Sequence, residues 1–409
     1  MAYFTNTMPV SSCPLCASRE LELIIDLGLH PLADTFVHKG QLTEPEPRYP
    51  LQVLLCKQCG HAMNSYVVPA EERYQEHDYS YDSGNSKVSI EHFNEMAIEV
   101  AQKVDVGQGD LVVDIGGSVG TLLEAFRAKT GATILNVEPA GNIAAIAQKN
   151  DVETVNDFFT DTVAEGIAQR GGAKVIAMTN VFNHIAYLDA FMKAIMRALR
   201  QDGAFIIEVP YLLHMVEKLA FDTVYLEHVS YFALRPLRAY FKKIGLVIAD
   251  VAENGYMGGS MRLYVRKGGP EFVGLANMIA REEAASLYDP AMYREFMRKV
   301  EAFKGSLLKE LAGVKAAGGR IVGIGAATKG NTLLNYCEID TTLLDFITDA
   351  SPLKIGKYTP GSHIPILSDE AITEAVTHAL ILPWNIAEFL KGKLAPKYPR
   401  ISFITPHMQ

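Results

Sequence analysis

The stretch GDLVVDIGGSVGTLLEAFRA, residues 109–128, decides how the middle of this chain is organised. It opens with an apolar run over residues 111–115 that predicts a buried strand, and it closes with apolar residues at helical spacing. The glycine-rich turn between them is Asp114-x-Gly116-Gly117-x-x-Gly120. Glycines let a ligand approach the backbone, and the following helix offers free N–H groups at its N-terminus. The stretch therefore predicts a nucleotide-binding strand–turn–helix unit, a pattern that serves many cofactors.

The segments that follow narrow the choice of cofactor. The strand ATILNVEPA ends at Glu138, where a carboxylate can hydrogen-bond both hydroxyls of a ribose. Asp114, placed before the glycines, suits the amino-acid end of S-adenosylmethionine better than a dinucleotide pyrophosphate. Asp157, in a DFF segment expected beside the adenine, and Asn180, after a further strand, complete the candidate cofactor contacts. The order of these strands predicts a class I methyltransferase core, with a Rossmann-like domain for another nucleotide as the alternative.

Composition excludes several classes of protein. The chain has 409 residues, enough for two or three domains, and a formal net charge of −9 without a basic block. We therefore expect no binding to nucleic acid. There is no run of about 18 uncharged apolar residues, and the first residues lack a basic segment followed by an apolar one. We expect a cytoplasmic monomer that does not bind membranes.

Two Cys-x-x-Cys pairs predict a metal site. Cys13 and Cys16 lie in CPLC, and Cys56 and Cys59 lie in CKQCGH. Each pair can form a tight turn whose thiolates point at one ion, and four thiolates complete a tetrahedral zinc site with no open position. His61 is a less favoured ligand. We predict structural zinc, and two unrelated pairs of reduced thiols are the alternative.

The last third of the chain contains a second predicted strand–turn–helix unit like the one in the middle. A helical stretch over residues 267–317 precedes GGRIVGIGAATKGNTLLNYC, which again predicts a strand, a glycine-rich turn and a helix. This turn either binds an anion or only lets the helix and strand pack closely. Lys329, Asn331 and Lys357 are the candidate substrate contacts, and both lysines can equally be solvated.

The predicted fold is α/β with three parts. Residues 1–70 form a small zinc-binding domain, and residues 71–268 form a class I methyltransferase domain with a Rossmann-like sheet. Residues 269–409 form a C-terminal Rossmann-like α/β domain. Parallel α/β units of this kind are joined by helical crossovers.

The stretch DTVYLEHVSYF, residues 222–232, places Tyr225, Glu227 and His228 among apolar neighbours. It is either a buried polar cluster that only holds the fold or a site of proton transfer. In an extended segment Glu227 would share the face of Tyr225, and His228 would point the opposite way.

These motifs together resemble one family, the zinc-bearing, three-part sugar C-methyltransferases that act at C3 of nucleotide-linked keto-deoxysugars. The resemblance rests on the cysteine pairs, the methyltransferase core, YLEHVSYF, GIGAATKGNTLLNY and GKYTPGSHIPI, and it covers nearly the whole chain. It implies S-adenosylmethionine and structural zinc as cofactors and a nucleotide-linked sugar, usually dTDP-linked, as substrate. It also implies that the outer two domains help form the substrate cleft.

The resemblance also implies a set of catalytic residues. Matched to this sequence, they are Tyr79 in HDYSYDSGNS, His184 in VFNHI, and Tyr225, Glu227 and His228. His228 would remove the proton from C3, because an imidazole is a suitable base near neutral pH. His184 or Tyr79 would polarise the C4 carbonyl, and the carbanion would attack the sulfonium methyl in line.

This chain departs from the family pattern at two places. Ser118 and Val119 replace the polar pair of the usual Asp-x-Gly-Ser-Asn-Asp-Gly turn, so one or two cofactor hydrogen bonds are expected to be absent or moved. Leu226 stands where family members commonly have histidine. The alternatives are an O- or N-methyltransferase acting on a sugar or small metabolite, and a non-catalytic zinc-containing scaffold.

Overall fold

The computed structural model describes residues 8–75, 79–80 and 82–406. The elements of its N-terminal part are β1 (Met8–Pro9), β2 (Leu21–His30), β3 (Tyr49–Cys56), β4 (Ala62–Asn64), β5 (Tyr66–Val67) and α1 (Ala70–Tyr74). Strands β2, β3 and β4 pair antiparallel. Along β3 buried and half-buried side chains alternate, because successive residues of a strand face opposite sides of the sheet. One face of this sheet is therefore packed into the interior.

The central part forms one mixed sheet. Its elements are α2 (Lys87–Val104), β6 (Leu111–Ile115), α3 (Thr121–Thr130), β7 (Thr133–Val137), α4 (Gly141–Lys149), β8 (Thr154–Val155), α5 (Asp161–Gln169), β9 (Ala173–Thr179), α6 (Leu188–Ala198), β10 (Leu199–Pro210), α7 (Leu212–Glu217), β11 (Ser230–Tyr231), α8 (Leu234–Lys243), β12 (Val247–Asn254) and β13 (Ser260–Arg266). The strand order is β12-β13-β10-β9-β6-β7-β8, and β13 runs antiparallel to both its neighbours. Every residue of β6 is buried, as expected of a strand covered by helices on both faces.

The C-terminal part contains a second, parallel sheet. Its elements are α9 (Leu275–Ala284), α10 (Pro290–Ala316), β14 (Ile321–Ile324), α11 (Thr328–Cys337), β15 (Ile347–Thr348), β16 (Ile366–Leu367), β17 (His378–Ile381), α12 (Ala387–Leu394) and β18 (Ser402–Ile404). The strand order β16-β15-β14-β17-β18 places the first strand of the unit at the centre. The predicted α/β fold, with a Rossmann-like methyltransferase sheet, an N-terminal cysteine cluster and a C-terminal parallel sheet, is confirmed.

The helical stretch expected over residues 267–317 is two helices, α9 and α10. Ser286 takes a left-handed backbone conformation between them, with φ of 54°. Asp289 then caps α10 by accepting a hydrogen bond from the amide of Ala291, and Pro290 occupies the first turn. Proline is well suited to that position because it has no N–H to satisfy. In the described ranges no helix combines the length and apolar character that crossing a bilayer requires.

Strand β11 ties the central part to the N-terminal part. Ser230 pairs with Met63 and Tyr231 pairs with Ala62, so β11 forms an edge of the N-terminal sheet. The hydroxyl of Tyr231 also donates to the side-chain oxygen of Asn64 at 2.9 Å. The segment that precedes β11 is consequently held where the parts of the chain meet.

Candidate active site

A cavity of about 960 Å³ lies between the three parts of the chain and is lined by residues of each. The predicted site residues that line it are Tyr79, Gly116, Glu138, Asn180, His184, Tyr225, Glu227, His228 and Lys329. The predicted residues that lie outside its lining are Asp114, Gly117, Gly120, Asp157, Asn331 and Lys357. The structure thus brings most of the polar residues singled out from the sequence to one place.

The turn after β6 is shaped by close packing beneath it. A Cβ on Gly117 would lie 2.6 Å from Asn136 Oδ1 and 2.8 Å from Asp114 Oδ2, so only glycine fits there. Asp114 is buried below the turn, and burial, followed by the nearby Glu138, raises its pKa well above the usual range. Asp114 therefore packs beneath the turn against Gly117, and Gly116 and Ser118 line the cavity.

Glu138, at the end of β7, braces the same turn. Its Oε2 accepts the amide of Ser118 at 3.1 Å, and its Oε1 accepts the amide of Ala140 at 2.9 Å. Burial raises the pKa of this carboxyl to about 7. Since each carboxylate oxygen has two lone pairs, both can still accept a hydroxyl. Phe158 and Phe159 line the cavity beside Glu138, and this arrangement fits the ribose and adenine of S-adenosylmethionine.

The remaining predicted cofactor residues differ in their positions. Asn180 lines the cavity after β9, takes φ of 56°, and has a buried Oδ1 with no partner among the described residues. Asp157 is exposed, and its carboxylate accepts the amide of Phe158 at 2.7 Å. Gly120 has φ of 89° and precedes the first turn of α3.

The two unusual residues of the turn have distinct surroundings. Ser118 adopts a left-handed backbone with φ of 52°, and its Oγ accepts the amide of Ser83 at 3.3 Å. Val119 is buried against Ala140 and Ile143. The serine hydroxyl thus holds the segment that follows Tyr79, and the valine belongs to a small core.

The segment around His228 is a turn and not the extended segment expected from the sequence. The amide of His228 donates to the carbonyl of Tyr225 at 3.0 Å, which folds residues 225–228 back on themselves. The ring of His228 consequently lies 3.7 Å from that of Tyr225, measured between centroids. Tyr225, Glu227 and His228 all line the cavity, so the expected separation of Glu227 and His228 onto opposite faces is wrong.

His228 is held in one tautomer. Its Nδ1 lies 2.8 Å from the carbonyl oxygen of Thr223, and because a carbonyl only accepts, Nδ1 carries the proton. Nε2 is therefore an unprotonated acceptor. Burial lowers the pKa of His228 to about 3, so the ring is neutral at ordinary pH. A neutral imidazole whose Nε2 has no hydrogen bond to the described residues can accept a proton from a ligand.

His184 is held in the opposite tautomer through Tyr74. Arg73 can only donate, and its guanidinium lies 3.4 Å from the hydroxyl oxygen of Tyr74. The hydroxyl proton is then directed to His184 Nδ1, 2.5 Å away, which leaves the His184 proton on Nε2. That Nε2 is buried without a partner among the described residues. His184 can therefore donate a hydrogen bond from a position 5.1 Å from the His228 ring, between centroids.

Tyr79 packs between this pair and the cofactor turn. Its amide donates to Asn142 Oδ1, and its carbonyl accepts from Asn142 Nδ2, so α4 fixes its backbone. Its ring meets the edge of the Tyr74 ring at 5.3 Å. Burial raises the pKa of Tyr79, Tyr74 and Tyr225, and each phenol stays protonated as a hydrogen-bond donor.

Lys329 is a buried cation at the C-terminal side of the cavity. Its Nζ lies 4.0 Å from the ring centroid of Trp384 and 4.0 Å from Asp222 Oδ2, and it has no hydrogen-bond partner among the described residues. Burial lowers its pKa. An anionic ligand would supply the missing acceptors. Asn331 instead donates to the carbonyl of Ala33 at 2.6 Å, and Lys357 lies outside the lining.

Three residues that line the cavity, Asp34, Tyr74 and Asp349, were not predicted from the sequence. Asp349 follows β15 as Glu138 follows β7, and its carboxylate accepts the amides of Ala326 and Ser351, both at 2.7 Å. This parallel between the two α/β units is visible in the sequence. No local pattern marks Asp34 or Tyr74, because both act through contacts with distant parts of the chain.

The four predicted metal ligands come together in the N-terminal part. The sulfur atoms of Cys13 and Cys59 lie 3.6 Å apart, those of Cys16 and Cys56 lie 3.5 Å apart, and all four lie within 4.8 Å of one another. A tetrahedron with Zn–S bonds of about 2.3 Å separates its sulfurs by about 3.8 Å, so the cluster fits zinc. His61 stacks on Phe232 and contacts Ser230 outside this cluster.

Comparison with family models covers most of the chain. A putative zinc binding domain matches residues 13–74, a methyltransferase domain matches residues 98–251, and a C-methyltransferase C-terminal domain matches residues 255–405. The C-methyltransferase NovU of Streptomyces niveus is 31% identical over 384 residues, which are 93% of this chain and 91% of that protein.

Solved structures match less than half of the chain at low identity. An S-adenosylmethionine-dependent methyltransferase of Clostridium acetobutylicum is 12% identical, with 44% of this chain and 92% of that chain covered and a TM-score of 0.35. One of Geobacter sulfurreducens, in complex with S-adenosyl-L-homocysteine, is 17% identical, with 39% and 66% covered and a TM-score of 0.32.

Proposed function

This chain belongs to the C-methyltransferase family that joins a zinc-binding domain, a methyltransferase domain and a C-methyltransferase C-terminal domain, and on that premise we propose that it methylates C3 of a nucleotide-linked 4-keto-deoxysugar. It is an S-adenosylmethionine-dependent methyltransferase with a zinc-binding segment. The sugar, its nucleotide and the position of methylation are the parts that we propose. The observation that carries the position of methylation is the pair of histidines with opposite tautomers inside the shared cavity, and the nucleotide is proposed from Lys329.

The histidine pair suits the chemistry of a carbon acid beside a ketone. Such a C–H bond is far less acidic than any side chain, and it yields a proton only when the developing enolate is stabilised by positioned donors. His228 Nε2 would accept the C3 proton. His184 Nε2–H, with a phenol of Tyr225 or Tyr79, would donate to the C4 oxygen. An O- or N-methyltransferase has no need of both a base and an enolate donor.

The cofactor would be held by residues of the central sheet. Glu138 would accept the ribose hydroxyls, Phe158 and Phe159 would flank the adenine, and Asn180 Oδ1 would accept from the amino-acid end. Bound S-adenosylmethionine supplies an electrophilic methyl group on a sulfonium. The chain's own contribution is to form the carbon nucleophile and to exclude water from it.

The nucleotide would lie against the C-terminal part. Lys329 lines the cavity with Asp222 Oδ2 4.0 Å from its Nζ, and this Nζ has no hydrogen-bond partner among the described residues; a diphosphate would supply the acceptors. Lys357 is partly buried, and its charge partly offsets the burial that raises the pKa of Asp34. The division into residues 1–70, 71–268 and 269–409 belongs to this proposal, since a cleft for a large substrate needs walls from each part.

The test is a screen of sugar nucleotides with S-adenosylmethionine, followed by mass spectrometry. We expect a single methyl group to be added to a 4-keto-deoxysugar nucleotide, on carbon, with the 4-hydroxy analogue left unmodified. Methylation of an analogue that lacks the ketone would favour an O- or N-methyltransferase and would overturn the proposal. Binding of S-adenosylmethionine with no methylation of any candidate would also count against it.

A further inference from the structure

Asp34 is a polar residue of the N-terminal part that reaches the cavity. It follows β2 in the segment HPLAD, is 4% exposed, and lines the cavity. Its amide donates to Glu227 Oε1 at 3.0 Å, and its Oδ1 accepts from Thr328 Oγ1 at 2.9 Å. These two bonds fix its carboxylate where the three parts of the chain meet.

Asp34 and Glu227 each keep one carboxylate oxygen unused. Asp34 Oδ2 and Glu227 Oε2 are buried and have no hydrogen-bond partner among the described residues, and both side chains line the same cavity. Buried polar atoms in native proteins are nearly always paired with protein, water or ligand. Two unpaired acceptors on residues that line one cavity call for a donor, and a ligand in the cavity can bring one.

The described charged side chains around Asp34 and Glu227 do not form hydrogen bonds with the two unpaired carboxylate oxygens. Burial raises the pKa of both carboxyls. The charge of Asp34 adds to the rise at Glu227, whose pKa is about 7, and the charge of Asp349 adds to the rise at Asp34. Lys354 acts on Asp34 from a distance, and its Nζ already donates to the carbonyl of Ala326 at 2.9 Å. Arg73 donates to the main-chain carbonyl of Glu227 and not to its carboxylate. The cations nearby thus moderate the charge without occupying the free oxygens.

We propose that Asp34 and Glu227 form a substrate subsite that binds an N–H or O–H donor carried by the sugar ring. The inference rests on the proposed function and extends it, because Asp34 then determines specificity from within the zinc-binding segment. A hydroxyl and an amine share this chemistry. The free oxygens accept from either group, and they have nothing to bond in a sugar that is deoxygenated at that position.

The experiment compares substrates that differ in a single donor. Keto-sugar nucleotides carrying a hydroxyl, an amino group or hydrogen at the same ring carbon are assayed with the wild type and with Asp34→Ala. We expect Asp34→Ala to lower kcat/KM by roughly 10- to 100-fold for a donor-bearing substrate, with a change of less than about 3-fold for its deoxy analogue. The donor that shows the selective loss identifies the group that is bound.

Two further variants separate recognition from folding. Asp34→Asn keeps the size of the side chain and should show the same selectivity with a smaller loss, even if Asp34→Ala unfolds. Thr332→Val is the matched control, because Thr332 Oγ1 donates to the Val224 carbonyl across the same boundary without lining the cavity. It should not change the preference between the substrates. Equal losses for donor-bearing and deoxy substrates with Asp34→Asn would overturn the subsite and leave Asp34 a structural residue.

Calorimetry in the presence of S-adenosylhomocysteine distinguishes this failure from failure of the proposed function. If the wild type binds donor-bearing sugar nucleotides more tightly than the deoxy analogue, loses that preference in Asp34→Asn, and methylates none of them, the subsite stands and the proposed reaction falls. If it methylates the sugars with a preference that Asp34→Asn leaves unchanged, the reaction stands and the subsite falls. Absence of both binding and methylation overturns both.

Discussion

The imidazole rings of His184 and His228 lie 5.1 Å apart, between centroids, and their hydrogen bonds give them opposite tautomers. The carbonyl of Thr223 accepts a hydrogen bond from Nδ1–H of His228, and the hydroxyl of Tyr74 donates a hydrogen bond to Nδ1 of His184. One ring therefore offers an acceptor to the cavity and the other offers a donor. Formation of an enolate requires a base and a positioned hydrogen-bond donor, and the two rings can offer one of each.

His228→Asn is expected to abolish most of the proton transfer while both ligands still bind. With S-adenosylhomocysteine and a keto-sugar nucleotide in D₂O, the wild type should incorporate deuterium at C3. In the variant the rates of deuterium exchange and of methylation should both fall by a factor of about 10² to 10⁴, the usual contribution of a positioned base. NMR and mass spectrometry measure the two reactions. His378→Asn, outside the cavity, is the control. Exchange at the wild-type rate in His228→Asn would assign the base to another residue.

Tyr74→Phe tests the tautomer of His184. Loss of one net hydrogen bond of about 0.5–1.5 kcal/mol predicts a fall in kcat of roughly 3- to 10-fold, with little change in KM. The same change made in a His184→Asn background should cost nothing more, because the hydroxyl acts through that ring. Steady-state kinetics of the single and double variants give the coupling. Additive losses would mean that Tyr74 acts independently of His184.

The pH dependence of kcat/KM should reflect the burial of His228. Its pKa is lowered to about 3, so the base stays neutral as the pH falls and is lost only on approaching that value. Its acid limb should therefore lie well below the value of about 6.5 of an exposed imidazole. Burial raises the pKa of Glu227 to about 7, so kcat/KM should rise with pH near neutrality as this carboxyl ionises. This rise should disappear in Glu227→Gln. Burial raises the pKa of Glu138 to about 7 as well, so the same profile is measured for Glu138→Gln; a limb near pH 6.5 that persists in both variants would contradict this assignment.

Glu138→Ala should weaken binding of S-adenosylmethionine by roughly 1.5–3 kcal/mol, the cost of losing a charged acceptor. Glu138→Gln keeps one oxygen and should lose less. The alanine variant also releases the amides of Ser118 and Ala140, so the glycine turn is expected to loosen. Calorimetric titration measures affinity, and Glu153→Ala, whose exposed carboxylate pairs with Arg170, serves as the control. Unchanged affinity would place the ribose elsewhere.

One tightly bound zinc per chain is expected, and Cys56→Ser should lose it and lower the thermal stability. Because β4 pairs with β11, loosening the N-terminal sheet should also disorder the segment around His228. Metal analysis and thermal denaturation measure the two effects. Cys337→Ala, which alters a buried thiol far from the cluster, should retain the metal. Zinc-free protein after purification without chelator would rule out the cluster as a zinc site.

The sequence alone determined the features that depend on local pattern. The apolar run and glycine turn predicted β6 and α3, the spacing of the cysteines predicted a metal cluster, and the repeat of strand, turn and helix predicted a second α/β unit. These three predictions succeed because neighbouring residues and hydrophobic periodicity largely set backbone conformation and burial. The α/β fold, the enzyme class and the two cofactors were all available from such patterns and from the resemblance that they supported.

The assembly of the site depends on contacts between distant segments of the chain. The turn at residues 225–228, which brings Glu227 and His228 to one cavity, is anchored by β11 on a strand far away in the sequence. The hydrogen bond from Tyr74 determines which nitrogen of His184 carries the proton. Asp34 is held by hydrogen bonds to Glu227 and Thr328 that do not use its Oδ2. Tautomers and unpaired acceptors are properties of contacts between distant segments. A sequence names the side chains, but only folding fixes which of their atoms remain free for a substrate.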